Sequence, residues 1–506
     1  MFEVAEIGIK MSKEEFATRS RELHINLLKI QQQLRQSRHS AIIIGSGVEG
    51  AGKGEVVNRL NEWFDSRGLE TNAFWDETDE QSMRPRFWRF WRTLPARGRI
   101  GLLFGSWYTK PIVDRAYDKI DDAEYKRQLL EIAEFEQMLA DDGVVLIKLW
   151  FHLKKSKVEK QLKKDANDPK RALRQTPWSK RYSRQFDRFL EVSEVAISMT
   201  DVGTAPWHVV EAGNTHYRDF TTGNIILDML QDRLKPASTT VVTKKAAAAK
   251  KAAEALKSPP AAAPRRSGLT VLDHVDLEKT LDAGAYQSRL IKWQNKLNAL
   301  AWQARKQQRS LVVMFEGWDA AGKGSTIRRI TQAIDARLYK VISIAAPTDE
   351  EAAHHYLWRF WRHIPLAGYV SIYDRSWYGR VLVERVEQFA REDEWQRAYA
   401  EINHFERQLS EHGIILVKFW LHISPEEQYR RFKERESTPW KYYKITEEDW
   451  RNRDKWGEYK HAVNDMVAHT STTLAPWHLI PANDKRLARV EVLKTICKAL
   501  DAKLKQ

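Results

Sequence analysis

The sequence of 506 residues contains a single cysteine, Cys497, and no run of about 18 apolar residues. One cysteine cannot form an intramolecular disulfide, which excludes a secreted disulfide scaffold and favours a reducing compartment. Residues 1–6 lack a basic stretch followed by an apolar run, so we expect a soluble, cytoplasmic protein with no membrane partner. Glycine and proline are also few, at 23 and 16 residues, which excludes a collagen-like chain.

Positive charge is in excess. Lysine and arginine together number 83 against 68 acidic residues, for a formal net charge of +15. Such a balance favours an anionic partner, but net charge does not choose among nucleic acid, a phosphorylated metabolite, another polyanion and an anionic membrane surface.

The two halves of the sequence repeat one another at an offset of 270 residues. GAGKG at residues 50–54 reappears as AAGKG at 320–324, and WRFWR at residues 88–92 reappears unchanged at 358–362. A repeat of this length predicts two homologous domains in one chain.

Residues 235–268 separate the two copies and are rich in alanine, lysine and proline. This composition is typical of a solvated linker, with a DNA-binding lysine and alanine tail as the alternative. We therefore divide the chain into a domain at 1–234, a linker at 235–268 and a domain at 269–506.

Short apolar runs alternate with helical spacing in each copy, which predicts an α/β fold with a mostly parallel sheet and helices on both faces. Ligands of such sheets bind at the carboxyl ends of the strands. In the C-terminal copy the predicted strands are Leu311–Glu316, Lys340–Ala345, Tyr369–Asp374, Ile414–Trp420 and Trp477–Ile480.

The first of these strands leads into a glycine-rich loop and then into a helical pattern that begins near Ile327. Gly317 and Gly322 permit a tight turn and a close approach of the backbone to an anion, and Lys323 supplies a positive charge between phosphoryl oxygens. Gly324 stands where many such loops carry serine or threonine, so Ser325 or Thr326 has to supply any hydroxyl. The pattern predicts phosphate binding.

Phosphoryl transfer also requires a carboxylate for the metal ion, and Asp374 is placed at a strand end where it can hold Mg²⁺. Arg375 can contact the transferring phosphoryl group. Asp319, inside the loop, adds a second carboxylate. The alternatives are a helix cap for Asp374 and a loop-ordering turn for Asp319.

Two basic clusters follow the loop, at residues 359–385 and 430–435. They contain more positive charge than one nucleotide requires, which favours a long phosphate chain as a ligand, although we expect about half of these side chains to belong to solvated helix faces. The tryptophans of WRFWR have helical spacing and are interpreted as packing residues.

These motifs together resemble the polyphosphate kinase 2 family. The resemblance rests on EGWDAAGKG at 316–324, WRFWR at 358–362, DRSWYGR at 374–380 and TPWK at 438–441. It implies a P-loop kinase-like fold with a helical lid, and transfer of phosphate between inorganic polyphosphate and nucleotides with Mg²⁺, without nucleic acid. Fused two-domain members are associated with the phosphorylation of AMP to ADP.

The resemblance also implies roles for single residues. Lys323 is expected to contact the transferring phosphate, and Asp319 and Asp374 to organise Mg²⁺. The segment 431–444 is expected to belong to the lid. The residues expected to bind phosphate or polyphosphate are Gly317, Gly322, Gly324, Ser325, Arg375, Arg380, Arg431, Arg435 and Lys441.

The N-terminal copy departs from this pattern. The offset of 270 maps Lys323 to Lys53, but Asp319 to Glu49, Asp374 to Phe104 and Arg375 to Gly105. We therefore expect residues 1–234 to have weak or no transferase activity. The alternative is an active domain whose metal ion is held by Glu49 and Asp114.

Three other functions are compatible with these motifs. One is transfer from polyphosphate to ADP or GDP. The second is an ATP-dependent nucleoside monophosphate kinase, against which the excess of basic residues speaks. The third is a polyanion-binding protein without turnover. A homo-oligomer is compatible with the paired domains, as is an interface within one chain.

Overall fold

The computed structural model describes residues 1–74, 76–167, 185–235, 270–438, 445 and 447–505. The chain divides into two compact units, one built mainly from residues 1–235 and the other mainly from residues 270–505. Apart from Lys235, the linker predicted at 235–268 lies outside the described residues, so the domain boundaries stay a prediction. Among the described helices, none combines the length and the apolar character that a membrane crossing requires.

Each unit contains, within the described residues, a five-stranded sheet in which all neighbouring strands are parallel. The strands are β1 (Ser40–Gly47), β2 (Leu69–Ala73), β3 (Ile100–Phe104), β4 (Val144–His152), β5 (Trp207–Glu211), β6 (Leu311–Gly317), β7 (Tyr339–Ser343), β8 (Val370–Asp374), β9 (Ile415–His422) and β10 (Trp477–Pro481). The strand orders, β2-β3-β1-β4-β5 and β7-β8-β6-β9-β10, are the same. The α/β prediction is confirmed.

Helices connect the strands in both units. Those of the N-terminal half are Lys13–Arg35, Lys53–Trp63, Asp79–Ser82, Trp88–Trp91, Thr109–Ala116, Asp122–Asp141, Lys155–Asn167, Phe186–Thr200 and Thr215–Leu234. Those of the C-terminal half are Ala283–Lys306, Lys323–Thr331, Asp349–Ala352, Trp358–Trp361, Val383–Val386, Glu392–Glu411, Pro425–Glu436, Glu447–Asp454, Trp456–Thr470 and Lys485–Leu504.

The central strands are largely apolar because helices cover both faces of the sheet. Every residue of β9 is buried, including Lys418, whose Nζ donates to Glu406 Oε2 at 2.7 Å and to Tyr378 Oη at 2.8 Å. The N-terminal unit repeats the buried pair as Lys148 and Glu136, at 2.8 Å. Because that copy lacks Asp374 and keeps the pair, we assign the pair to the fold and not to the chemistry.

The WRFWR segment forms the short helix Trp358–Trp361. Trp358, Phe360 and Trp361 are buried there, and the Trp361 ring lies 4.9 Å from that of Phe405. The interpretation of these tryptophans as packing residues is confirmed.

Candidate active site

The phosphate loop runs from the end of β6 into the helix Lys323–Thr331. The helix was predicted to begin near Ile327, which is wrong by four residues: Gly322, with φ of 108°, caps it directly. Gly317 has φ of 148°, and a Cβ there would lie 2.6 Å from the Leu421 carbonyl oxygen, so the sheet leaves no room for a side chain. The first helical N–H groups therefore point toward the space where an anion binds.

Lys323 is held by the loop that it belongs to. Its Nζ donates to the carbonyl oxygens of Gly317 at 2.6 Å and Trp318 at 3.3 Å. The hydroxyls of Ser325 and Thr326 both donate to the Gly322 carbonyl, at 3.0 and 3.1 Å. The first two carbonyls of the phosphate loop thus hold the lysine amine against the loop.

Asp374 lies at the carboxyl end of β8, opposite Phe315 of the loop strand β6. The next residue, Arg375, has φ of 66°, and its N–H donates to the Phe315 carbonyl at 3.0 Å. Ser376, and not Asp374, caps the 3₁₀ turn Trp377–Val381, since its Oγ accepts from Tyr378 N. The capping alternative for Asp374 is therefore wrong.

The two carboxylate oxygens of Asp319 face different side chains. Its Oδ2 accepts a hydrogen bond from Asn452 Nδ2 at 2.9 Å, and its Oδ1 lies 3.8 Å from Arg375 Nη2. The Asp319 side chain remains 16% exposed. The sequence singled out Asp319 but gave no reason to select Asn452.

Burial and nearby charges shift the pKa values of two residues at the loop, Glu316 and Arg375. Burial raises the pKa of the Glu316 carboxyl, although the charge of Lys323 and a 2.8 Å hydrogen bond from Ser376 Oγ act in the opposite direction. Burial lowers the pKa of the Arg375 guanidinium, but the negative charges of Asp319 and Glu316 outweigh this effect and raise it overall. Arg375 therefore carries its charge into the site.

A cavity of about 570 Å³ opens at this edge of the sheet. It brings together most of the residues selected from the sequence, although their individual roles stay predictions. The selected residues that line it are Asp319, Gly322, Lys323, Gly324, Ser325, Asp374, Arg375, Arg431 and Arg435.

Three selected residues are placed otherwise. Gly317 ends β6 behind the cavity. Arg380 pairs with Glu384 at 3.1 Å and lies over the Tyr356 ring, away from the cavity lining. Lys441 lies outside the described residues, as does all of the proposed lid segment 431–444 after Thr438.

Arg431 lines the cavity, but its guanidinium is already engaged. It is 2% exposed, pairs with Glu427 and donates to four backbone carbonyls at 2.7 to 3.0 Å. These bonds tie the phosphate loop to the segment after β10. They support a positioning role, and phosphate binding by Arg431 stays a prediction. The four carbonyls belong to Ala320, Ala321, Ala482 and Asn483.

Several charged residues of the cavity were missed, among them Arg328, Asp449, Lys485 and Arg489. Burial and the nearby charge of Arg431 lower the pKa of Lys485 to about 8. A comparison of the two copies could have pointed to two of these residues. The offset of 270 maps Lys485 to Thr215 and Arg489 to Asp219, so the C-terminal copy alone has a positive charge at both positions.

The N-terminal unit keeps the loop without its partners. Lys53 Nζ donates to the carbonyls of Gly47 and Val48, at 3.0 and 2.8 Å, as Lys323 does in the other copy. Glu49 lies 3.9 Å from Lys53. Asp114, the other proposed metal ligand, is paired with Lys110 and Lys119, each at 3.2 Å.

Four carboxylates line the C-terminal cavity, and the two selected from the sequence for a metal ion are those of Asp319 and Asp374; the other two belong to Glu434 and Asp449. In the part of the chain that the structure describes, no group of three or more His, Cys, Asp or Glu is arranged to hold a metal ion alone. Two hard oxygen ligands with room for substrate oxygens suit Mg²⁺, which usually binds through one or two carboxylates and phosphates. The residues present therefore fit that ion.

The chain is similar in sequence and in fold to known proteins of one family. The family model of polyphosphate kinase 2 (PPK2) matches residues 10–238 and 280–506. The chain is 48% identical over 510 residues to a polyphosphate:AMP phosphotransferase of Pseudomonas aeruginosa, with all of both chains covered. It is 44% identical to another so named from Pseudomonas syringae pv. tomato, covering 99% of this chain and 98% of the relative. A crystal structure described as a polyphosphate kinase 2 from Pseudomonas aeruginosa superimposes with a TM-score of 0.87 at 46% identity, over the full length of both chains.

Proposed function

The chain belongs to the polyphosphate kinase 2 family, and we propose that it transfers the terminal phosphate of inorganic polyphosphate to AMP, giving ADP. The observation that carries this function is the cavity in which Asp319 and Asp374 meet Lys323 and the phosphate loop. AMP as the acceptor is supported by the full-length relatives, whose printed names specify polyphosphate and AMP.

The reaction needs no covalent intermediate with the protein. A phosphate oxygen of AMP attacks the terminal phosphorus of polyphosphate, the terminal P–O–P bond breaks, and the shortened chain leaves with the bond electrons. The protein has to align donor and acceptor and to neutralise the charge on the transferring group. Lys323, Arg375 and the helix N-terminus after Gly322 provide that charge.

We assign Mg²⁺ to the carboxylates of Asp319 and Asp374. These two side chains would hold the ion, whose charge would offset the negative charge of the phosphoryl oxygens. Asp374 is fixed by strand β8, and Asp319 by the hydrogen bond from Asn452. Both carboxylates can therefore meet a metal ion that arrives with the substrate.

We assign turnover to the C-terminal unit. The N-terminal unit has Phe104 and Gly105 in place of Asp374 and Arg375, and neither side chain can hold a metal ion or a phosphate charge. The absence of these two groups supports weak or no transferase activity, whereas the retained loop and Lys53 support some remaining affinity for anions.

We also place the enzyme in the cytoplasm. A chain with one cysteine suits a reducing compartment, and the proposed acceptor, AMP, is an intracellular nucleotide. Cell fractionation with an antibody to the chain tests this location; recovery in the membrane or secreted fraction contradicts it.

The test of the function is a matrix of donors and acceptors. Purified protein with Mg²⁺ is given polyphosphate or ATP as the donor, and AMP, ADP or GDP as the acceptor. We expect ADP from polyphosphate and AMP without any ATP, and loss of that product in Asp374→Asn. Faster product formation from ADP or GDP would change the acceptor, and transfer from ATP alone would identify a nucleoside monophosphate kinase.

A further inference from the structure

Asn452 connects the helix Glu447–Asp454 to the phosphate loop. Its Nδ2 donates to Asp319 Oδ2 at 2.9 Å, while its Oδ1 accepts from the Tyr459 hydroxyl at 3.3 Å. The tyrosine thereby fixes which end of the amide faces Asp319. A donor held in this way imposes one orientation on the carboxylate.

The other oxygen of the same carboxylate faces Arg375. The separation of 3.8 Å between Asp319 Oδ1 and Arg375 Nη2 is too long for a hydrogen bond. Without a competing donor, the two charges are free to close into a direct pair, which neutralises both of them. The bond from Asn452 opposes that closure, so that the carboxylate stays available to a cation and the guanidinium to a phosphate.

The repeat within the chain supports treating these residues as one unit. The helix Trp456–Thr470 matches Phe186–Thr200 at the offset of 270, which maps Tyr459 to Phe189. Asp319 maps to Glu49 and Arg375 to Gly105, and the sequence has no N-terminal equivalent of the segment around Asn452. The N-terminal copy thus lacks the asparagine, the tyrosine hydroxyl and the guanidinium of this set, while it keeps a carboxylate in Glu49 and the loop lysine.

A second contact holds the same region in place independently of Asn452. The rings of Trp318 and Trp456 stack with centroids 3.6 Å apart and an interplanar angle of 8°. Removing the Asn452 amide therefore leaves the helix Trp456–Thr470 anchored to the loop by this stack. The hydrogen bond can be tested separately from the packing.

Building on the proposed function, we propose that Asn452, oriented by Tyr459, is a positioning residue that keeps Asp319 from pairing directly with Arg375. It contacts neither AMP nor polyphosphate in this role and acts through Asp319.

The experiment compares four single variants of the full chain. Asn452→Leu removes the donor at similar volume, and Asn452→Asp keeps the shape but places a second carboxylate against Asp319. Tyr459→Phe removes the hydroxyl that orients the amide. Asn464→Leu is the matched control, because Asn464 lies on the same helix as Tyr459 and its amide donates within that helix, to the Lys460 carbonyl. Each variant is assayed for kcat, for KM of AMP and for half-saturating Mg²⁺.

We expect kcat to fall about 10- to 100-fold in both Asn452 variants, with KM for AMP within about threefold of the parent, and a smaller loss in Tyr459→Phe. Half-saturating Mg²⁺ rises, and a crystal structure of Asn452→Leu shows the distance from Arg375 Nη2 to Asp319 Oδ1 reduced to about 3 Å. The proposal is overturned if the Asn452 variants match Asn464→Leu, if Asn452→Asp retains full kcat, or if that distance stays unchanged. Failure of the parent protein to use polyphosphate would instead contradict the proposed function, and the distance in the variant still decides the positioning role.

Discussion

Arg375 and Gly105 occupy the same left-handed backbone position, with φ of 66° and 81°, directly after the matching strands β8 and β3. An arginine in that conformation costs about 1 kcal/mol relative to glycine. The N-terminal copy has the unstrained residue and no guanidinium. The C-terminal copy keeps the strain, which indicates that the side chain serves the site and not the fold.

Replacement Arg375→Gly is therefore expected to separate stability from activity. The free energy of unfolding stays equal or rises by up to about 1 kcal/mol, because glycine adopts this φ without strain. The rate of transfer to AMP falls by about 100-fold or more, because a charge that offsets the transferring phosphoryl group is lost. Chemical denaturation and initial rates measure the two effects, and a variant that loses stability as well as activity contradicts this assignment.

The reverse change, from glycine to a residue with a side chain, can be made at Gly105, the matching position of the N-terminal copy. A Cβ at Gly105 would lie 2.7 Å from the Phe74 carbonyl oxygen. We expect Gly105→Ala to destabilise the N-terminal unit by more than about 1 kcal/mol and to leave the initial rate of ADP formation unchanged at 25 °C. A rate reduced in proportion to the loss of stability would show that the N-terminal unit takes part in turnover.

Arg431 is expected to matter for stability because its guanidinium is 2% exposed and satisfies four carbonyls. Arg431→Met leaves those buried carbonyls without their donor and removes one of the two arginines that pair with Glu427, at a cost of about 3 kcal/mol, or a fall in Tm of about 6 to 12 °C. Its neighbour Arg430 is 62% exposed and pairs with Glu427 at the surface, so Arg430→Met shifts Tm by less than about 3 °C. Equal shifts in calorimetry would contradict the positioning role.

Lys485 lines the cavity, and its lowered pKa leads us to expect that polyphosphate binding depends on pH. Burial lowers its pKa to about 8, so the amine is charged below pH 8 and loses its charge as the pH rises through that value. The kcat/KM for polyphosphate of the parent protein is thus expected to fall between pH 7 and 9, whereas Lys485→Met starts lower and shows a flatter profile. Because bound phosphate favours the charged amine, kcat at saturating polyphosphate changes less. Parallel pH profiles for the parent and Lys485→Met would contradict a role of the Lys485 amine in polyphosphate binding.

The fold followed from local patterns. The strands of the C-terminal unit lie within two residues of their predicted bounds, because buried parallel strands are continuous apolar runs between turn residues. Lys323 and Asp374 could be selected for the same reason, since a glycine-rich loop and a strand-end carboxylate have fixed places in such a sheet. The start of the loop helix was misplaced because the helix has a glycine cap and a polar first turn, KGST, in front of its apolar residues.

Long-range placement could not be predicted in the same way. Asn452 lies 133 residues after Asp319, and Lys485 begins the last helix, so no spacing pattern connects either residue to the loop. Residue type also says nothing of which donors are already engaged. Arg431 and Arg380 were both selected as phosphate ligands, yet one binds backbone carbonyls and the other pairs with Glu384.

The proposed function gives the chain one working site, in its C-terminal unit. The two loop lysines are a matched pair for testing it, because each amine donates to the corresponding two carbonyls of its own loop. We would measure ADP formation from polyphosphate and AMP for Lys323→Met and Lys53→Met under identical conditions. We expect a loss of about 1,000-fold for Lys323→Met and a rate within about twofold of the parent for Lys53→Met. An equal loss in both variants would contradict a single working site.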